Sequence, residues 1–166
     1  MTTTNMLETL KFAKGLDPIA DAFAGTVNSD VYNLQGHGSI LFVVYVGVGA
    51  TGSSTLTVEA CDDVTPSNTT AIAFNYREIT TGDTDGAITA AAAAGYVSTV
   101  GSSRIVLVEV DAADVAAASV NSTTGNQFVR LHAVESADSP VLGGIHAVLG
   151  GKPTRYAEDV NATVIV

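Results

Sequence analysis

The sequence has no tryptophan, one cysteine and few charges: only 14% of its residues are charged, with 17 acidic groups against 7 basic ones. Each shortage excludes something. Cys61 has no second cysteine to pair with, so the fold is not a disulfide-stapled secreted scaffold. It closes the alternating run TLTVEAC, where a small buried hydrophobe fits better than a reactive or metal-binding thiol. A net charge of -10 with so little Lys and Arg rules out a phosphate-tracking surface, and no nucleic-acid partner is expected. The longest apolar run, Ile40 to Val48, is far short of the roughly 20 residues a membrane helix needs. The opening MTTTNMLETLKFAKGL has no apolar stretch behind a basic one, so neither a membrane span nor a signal peptide is expected, and synthesis and folding are assigned to a cytoplasm.

What is present is mostly small and uncharged. At 166 residues the chain has room for one domain with a real core. Hydrophobic residues reach 46%, while an ordinary soluble domain carries about 25% charged residues. A surface built from Thr, Ser, Asn and small apolar groups suits burial against another protein better than isolation in water.

The first two dozen residues differ from the rest. Asn5 and Glu8 have capping-box spacing, Met6, Leu7, Leu10 and Ala13 give a partly apolar face, and Gly15 is a stop signal, which predicts a helix from about Met6 to Lys14. Asp17 followed by Pro18 repeats the start signal and predicts one more turn over Ile19 to Phe23. Two of the three lysines, Lys11 and Lys14, lie here. The division is therefore an N-terminal arm, partly helical, over residues 1–24, and a β-domain over 25–166. Such an arm either docks on a partner or packs across the end of its own domain.

From Thr26 the pattern is strands and turns. SILFVVYVGVG is continuously apolar and β-branched, as expected of a strand buried on both faces. After the glycine-rich GATGSS, the run STLTVEAC alternates, with Leu56, Val58 and Ala60 on one face, and the pair reads as a hairpin. DDVTPSNT is a loop, and TAIAFNYREIT places Ile72, Phe74 and Tyr76 together. The alanine run 90–94 is read as a connection with at most one helical turn. In SRIVLVEVD, Ile105, Leu107 and Glu109 oppose Val106, Val108 and Val110. DAADVAAAS predicts a helical turn capped by Asp111, and NQFVRLHAVES a strand with Phe128, Leu131 and Ala133 on one face. SPVLGGIHAVLGG is a strand pair or a strand with a glycine bulge, and VNATVIV closes an edge. About eight strands with regular turn signals predict an all-β, two-sheet antiparallel sandwich of jelly-roll type, with an immunoglobulin-like sandwich as the near alternative.

Chemical motifs are sparse. His37, His132 and His146 lie far apart without second ligands at metal-binding spacing, and partner-bonded structural roles fit them better. There is no GxSxG nucleophile turn and no phosphate cradle. GDTDG, with Asp83 and Asp85, is similar to the start of a calcium loop but lacks the downstream acidic ligand; a tight turn is the better reading, and the same holds for Asp62 and Asp63. Glu59, Glu78, Glu109 and Glu135 lie in strands with no paired carboxylate, so no enzyme, metal or cofactor is expected.

Four passages carry a resemblance: GLDPIADAFAGTVNSDVYNL, VGVGATGSSTLTVEACDDVTPSNTTAIAFNYR, SSRIVLVEVDAADV and FVRLHAVESADSPVLGGIHAVL. EACDD and the stretch from VRLHAVE to SPVLGG are the most specific. Together, from about Gly15 to Leu149, the chain resembles small structural proteins encoded among the head genes of tailed bacteriophages. The resemblance implies a capsid decoration, or cement, protein: a β-sandwich bound as a homodimer or homotrimer to the major capsid protein on the outside of an icosahedral shell, bridging capsomers. The arm is the expected contact, with Leu7, Leu10, Phe12 and Phe23 filling a groove and Lys11 and Lys14 meeting acidic groups. The alternative is a receptor- or glycan-binding sandwich on a tail or fibre, whose aromatic platform would have to come from Tyr96 and Tyr156.

Overall fold

A computed structural model describes residues 6–47, 51–80, 84–101, 103–137 and 140–151. In chain order the elements are α1 (Met6–Thr9), β1 (Lys11–Ile19), β2 (Thr26–Asn28), β3 (Tyr32–Asn33), β4 (Ser39–Val46), β5 (Ser53–Cys61), β6 (Thr69–Ile72), β7 (Phe74–Thr80), β8 (Thr84–Asp85), β9 (Thr89–Ala91), β10 (Tyr96–Val97), β11 (Arg104–Asp111), α2 (Ala112–Ala117), β12 (Phe128–Ala137) and β13 (Gly143–Gly150). Two antiparallel sheets pack face to face as a sandwich, as the alternating runs predict. The seven-stranded sheet runs β1, β13, β4, β11, β7, β8, with β9 also on β7. The six-stranded sheet runs β10, β5, β12, β2, with β3 on β12 and β6 on β5.

Alternation fills the core from both sheets. Ile40, Phe42 and Val44 of β4 and Val106 and Val108 of β11 point inward from one; Leu56 and Val58 of β5 and Val129 and Leu131 of β12 point inward from the other. Burying each such side chain contributes about 1.5–3 kcal/mol. Tyr32 and Phe42 meet edge to face across the sheets, with centroids 5.8 Å apart.

Several sequence expectations are corrected. β4 and β5 do not form a hairpin: β4 pairs with β13 and β11, and β5 with β12, β10 and β6. The glycine-rich link carries the chain from one sheet to the other. TAIAFNYREIT is likewise divided at Ala73, with β6 in one sheet and β7 in the other, yet Ile72, Phe74 and Tyr76 all pack on the core. The alanine run begins as strand β9, paired with β7. Phe128 lies opposite Leu131 and Ala133, and Val129 takes the inward place. β13 pairs with β4 in unbroken register; the bulges fall on β1. The helix after Asp111 is present as α2, although the Asp111 side chain makes no capping hydrogen bond.

The largest correction is at the N-terminus. The helix stops at Thr9, and residues predicted helical up to Lys14 form β1, hydrogen-bonded to β13 from Lys11 to Ile19. Residues 20–23 form turns, with Ala22 and Phe23 buried. A local capping pattern gave way to a nonlocal ladder that satisfies backbone groups over nine residues. The six-stranded side of the molecule also holds β1. The Tyr32 hydroxyl donates to the Lys14 carbonyl, and the Asp30 N–H donates to the Gly15 carbonyl at 3.0 Å. Asn5, Asp83, Tyr156 and the VNATVIV segment lie outside the described residues.

Candidate functional site

The two sheets turn different faces to the surroundings. On the six-stranded sheet the outward positions are polar and bonded to one another. Arg130 donates to Glu59 at 2.7 and 2.8 Å, His132 Nδ1 lies 2.7 Å from Asn28 Oδ1, and the hydroxyls of Thr55 and Ser136 are 2.7 Å apart. Val97, Val134 and Phe128 are the large apolar exceptions. This is the ordinary arrangement for an antiparallel sheet with one wet face.

The seven-stranded sheet breaks that rule. Across its outward side the registers place Phe12 beside Val148, then Leu41, Glu109 and Asn75. The next row is Lys14, His146, Val43, Leu107 and Arg77, and the third is Gly144, Tyr45, Ile105, Ile79 and Asp85. Most of this surface is aliphatic and aromatic; Lys14, Arg77 and Asp85 stand toward its edges, and Glu109 on β11 is the charge nearest its middle. Phe12 is 57% exposed and Tyr45 52%. Beside β7, Ile88, 72% exposed, walls a groove of about 230 Å³ that Leu41, Arg77, Leu107 and Glu109 also line. Contiguous exposed apolar faces are uncommon on monomeric soluble proteins, which makes this one the candidate functional surface.

The continuous apolar run Ile40 to Val46 carried the signal for this face. It predicted cover on both sides, and the fold covers only the inward one: Leu41 and Val43 are half-buried, and Tyr45 is exposed. Val43, Tyr45, Ile105, Leu107 and Ile88 were not among the expected contact residues, because nothing local distinguishes an outward apolar residue awaiting a partner from one covered by its own chain.

Of the expected contacts, Phe12 and Lys14 share the outward side of β1, at one edge of this face. Lys14 is ion-paired to Asp17 at 2.6 Å, a bond that holds its ammonium above its ordinary pKa. Leu7 is 75% exposed on α1, while Leu10 and Lys11 are half-buried. Phe23 is corrected: only 5% exposed, it packs in the core under Gly143 and is not available to a neighbour.

The other candidates have structural occupations. Tyr96 is stacked on Tyr76 and donates to Glu78, so it is not an open glycan platform. Glu135 accepts from the Gly25 N–H at 2.9 Å, and Asp85 pairs with Arg77 at 3.5 Å. Asp62 is the acceptor that shapes its own loop, which holds its carboxyl down at about 2. Among the described residues no group of three His, Cys, Asp or Glu side chains is placed to hold a metal ion, and no helix is long and apolar enough to cross a membrane.

No protein-family model matches the chain, and no curated protein matches it. Among solved structures it is similar to the crystal structure of the SPBc2 prophage-derived protein YomS, at a TM-score of 0.42 and 8% identity, over 86% of this chain and 93% of that one.

Proposed function

We propose that the protein is a non-enzymatic structural component of a tailed-phage virion that assembles through the open face of its seven-stranded sheet and binds the outside of the icosahedral capsid. The observation that carries this reading is the apolar outward surface around Val43, Tyr45 and Leu107, on a chain whose other sheet is faced with polar, mutually bonded side chains. The resemblance of its four passages to phage head proteins supports the location. The major capsid protein is the partner in this reading, and the exposed side chains of Met6 and Leu7 on α1 are its contacts. A decoration protein needs only modest contacts per copy, since holding several capsomers at once turns weak binding into avidity. Binding the assembled shell and not its free subunits stabilises that state by mass action against the pressure of packaged DNA. The low charge of the chain then describes a surface largely covered in use.

Cosedimentation with expanded capsids that lack the protein tests the proposal. Saturable binding at symmetry-related sites, seen by cryo-electron microscopy, together with greater resistance of the shells to heating, is the expected result. Shells that neither bind nor gain resistance would refute it.

A further inference from the structure

We infer that the open face of the seven-stranded sheet is covered by the same face of a second copy, related by a two-fold axis running along the seam between β4 and β11. The inference deepens the assembly role proposed above and rests on it for its biological sense. The strand order β1, β13, β4, β11, β7, β8 has its midpoint at that seam. Rotation about it exchanges β4 with β11, β13 with β7 and β1 with β8.

Three features of the face agree with that operation. At the centre, Val43 and Leu107 are register partners, as are Tyr45 and Ile105. The rotation lays each on the other's counterpart, so apolar groups meet apolar groups there, and the charge beside the seam, Glu109 of β11, is laid on Leu41 of the partner. At the edges, the exposed ring of Phe12 on β1 comes over the groove that Ile88 walls on the far side of the partner. Lys14 on β1, paired with Asp17, is brought to the edge where Asp85 on β8 is paired with Arg77, so charges of both signs meet at that edge. An axis across the strands would instead stack each edge on its own copy, with Lys14 against Lys14 and Arg77 against Arg77, which like-charge repulsion opposes. At ~4.8 Å strand spacing and ~3.4 Å rise per residue the six strands make a face on the order of 700 Å², near the ~800 Å² per partner of a standard stable interface. A two-fold contact of this kind closes on itself and yields a dimer, not a filament.

Single-cysteine partners test the geometry on the purified protein, without capsids. Phe12→Cys and Ile88→Cys are prepared separately, mixed, and treated with a short bifunctional maleimide; native Cys61 is buried and does not compete. Covalent dimer in the mixture, and little in either variant alone, is the expected result. Efficient crosslinking of Phe12→Cys with itself overturns the axis, and a protein that sediments as a monomer throughout the micromolar range overturns the dimer. Tyr45→Glu, at an exposed position whose change spares the core, should weaken dimerisation about tenfold or more with an unchanged circular dichroism spectrum; undiminished dimerisation counts against the face. A dimer with this pairing that ignores capsids removes the virion reading and leaves the inference standing, whereas shell binding by a monomer does the reverse.

Discussion

Tyr96 of β10 lies on Tyr76 of β7, ring centroids 3.8 Å apart at 24°, and its hydroxyl donates to Glu78 Oε1 at 2.5 Å. β7 and β10 belong to different sheets, so this contact ties the sandwich together at one end. Glu78 also accepts from the Thr99 N–H and sits 3.7 Å from Arg104, whose guanidinium donates to the carbonyls of Thr99 and Val100. Tyr96→Phe keeps the stacked ring and deletes one donor to a mostly buried carboxylate. A loss of about 1–2 kcal/mol is expected from urea unfolding, and an unchanged midpoint would show that the bond does not hold the sheets. Burial, and then the bond to Glu78, push the Tyr96 phenol up to about 12. The native state therefore keeps its proton where the unfolded chain loses it, and stability should decline as pH rises from about 10 to about 12.

Gly15 stands where β1 passes closest to the six-stranded side. A Cβ there would lie 2.8 Å from the Tyr32 hydroxyl and 3.1 Å from Ile145 Cγ2. Gly15→Ala should cost about 1–3 kcal/mol by forcing these neighbours apart. Amide hydrogen exchange would localise the effect, with β1 losing protection before β4 and β11 do.

Acid should act through the 62–68 loop. Asp62 accepts from the side-chain and backbone nitrogens of Asn68 and from the Ser67 hydroxyl and N–H, and these bonds hold its carboxyl at about 2, below its ordinary 3.8. Its stabilisation is present above pH 3.8 and is lost as pH falls through about 2. Asp62→Asn should flatten the stability profile between those pH values while leaving the profile above pH 5 parallel to that of the wild type. Identical acid limbs in the two proteins would contradict this role.

Burial pushes the Cys61 thiol up to about 12, so it carries almost no thiolate at neutral pH. A soluble aromatic disulfide reagent should release no colour from the native protein and one equivalent once denaturant is added. Rapid native labelling would place Cys61 at an accessible surface.

The parity of the strands was legible from the sequence. The opposition of Val106, Val108 and Val110 to Ile105, Leu107 and Glu109, and the inward set Leu56, Val58 and Ala60, are as alternation predicts. Pairing was not legible. TAIAFNYREIT alternates without a break although the chain changes sheets inside it, because both inner faces look onto one core and the parity survives the crossing. The same ambiguity made β4 and β5 read as a hairpin. Phe12 and Lys14 were picked out as contacts, while Phe23 was misassigned because its burial depends on the turns at 20–23 and on Gly143, 120 positions downstream.

By itself the sequence determined the β content, the inward side of nearly every long strand and the scarcity of charge, all of which follow from residue type and a side-chain period of two. Only the tertiary structure decided that β1 is a strand, which sheet each strand joins, and that Phe12, Tyr45, Leu107 and Ile88 share one uncovered surface. The physical reason is that alternation is local, whereas ladder partners and cover are set by segments far along the chain that compete for the same backbone groups and the same apolar face.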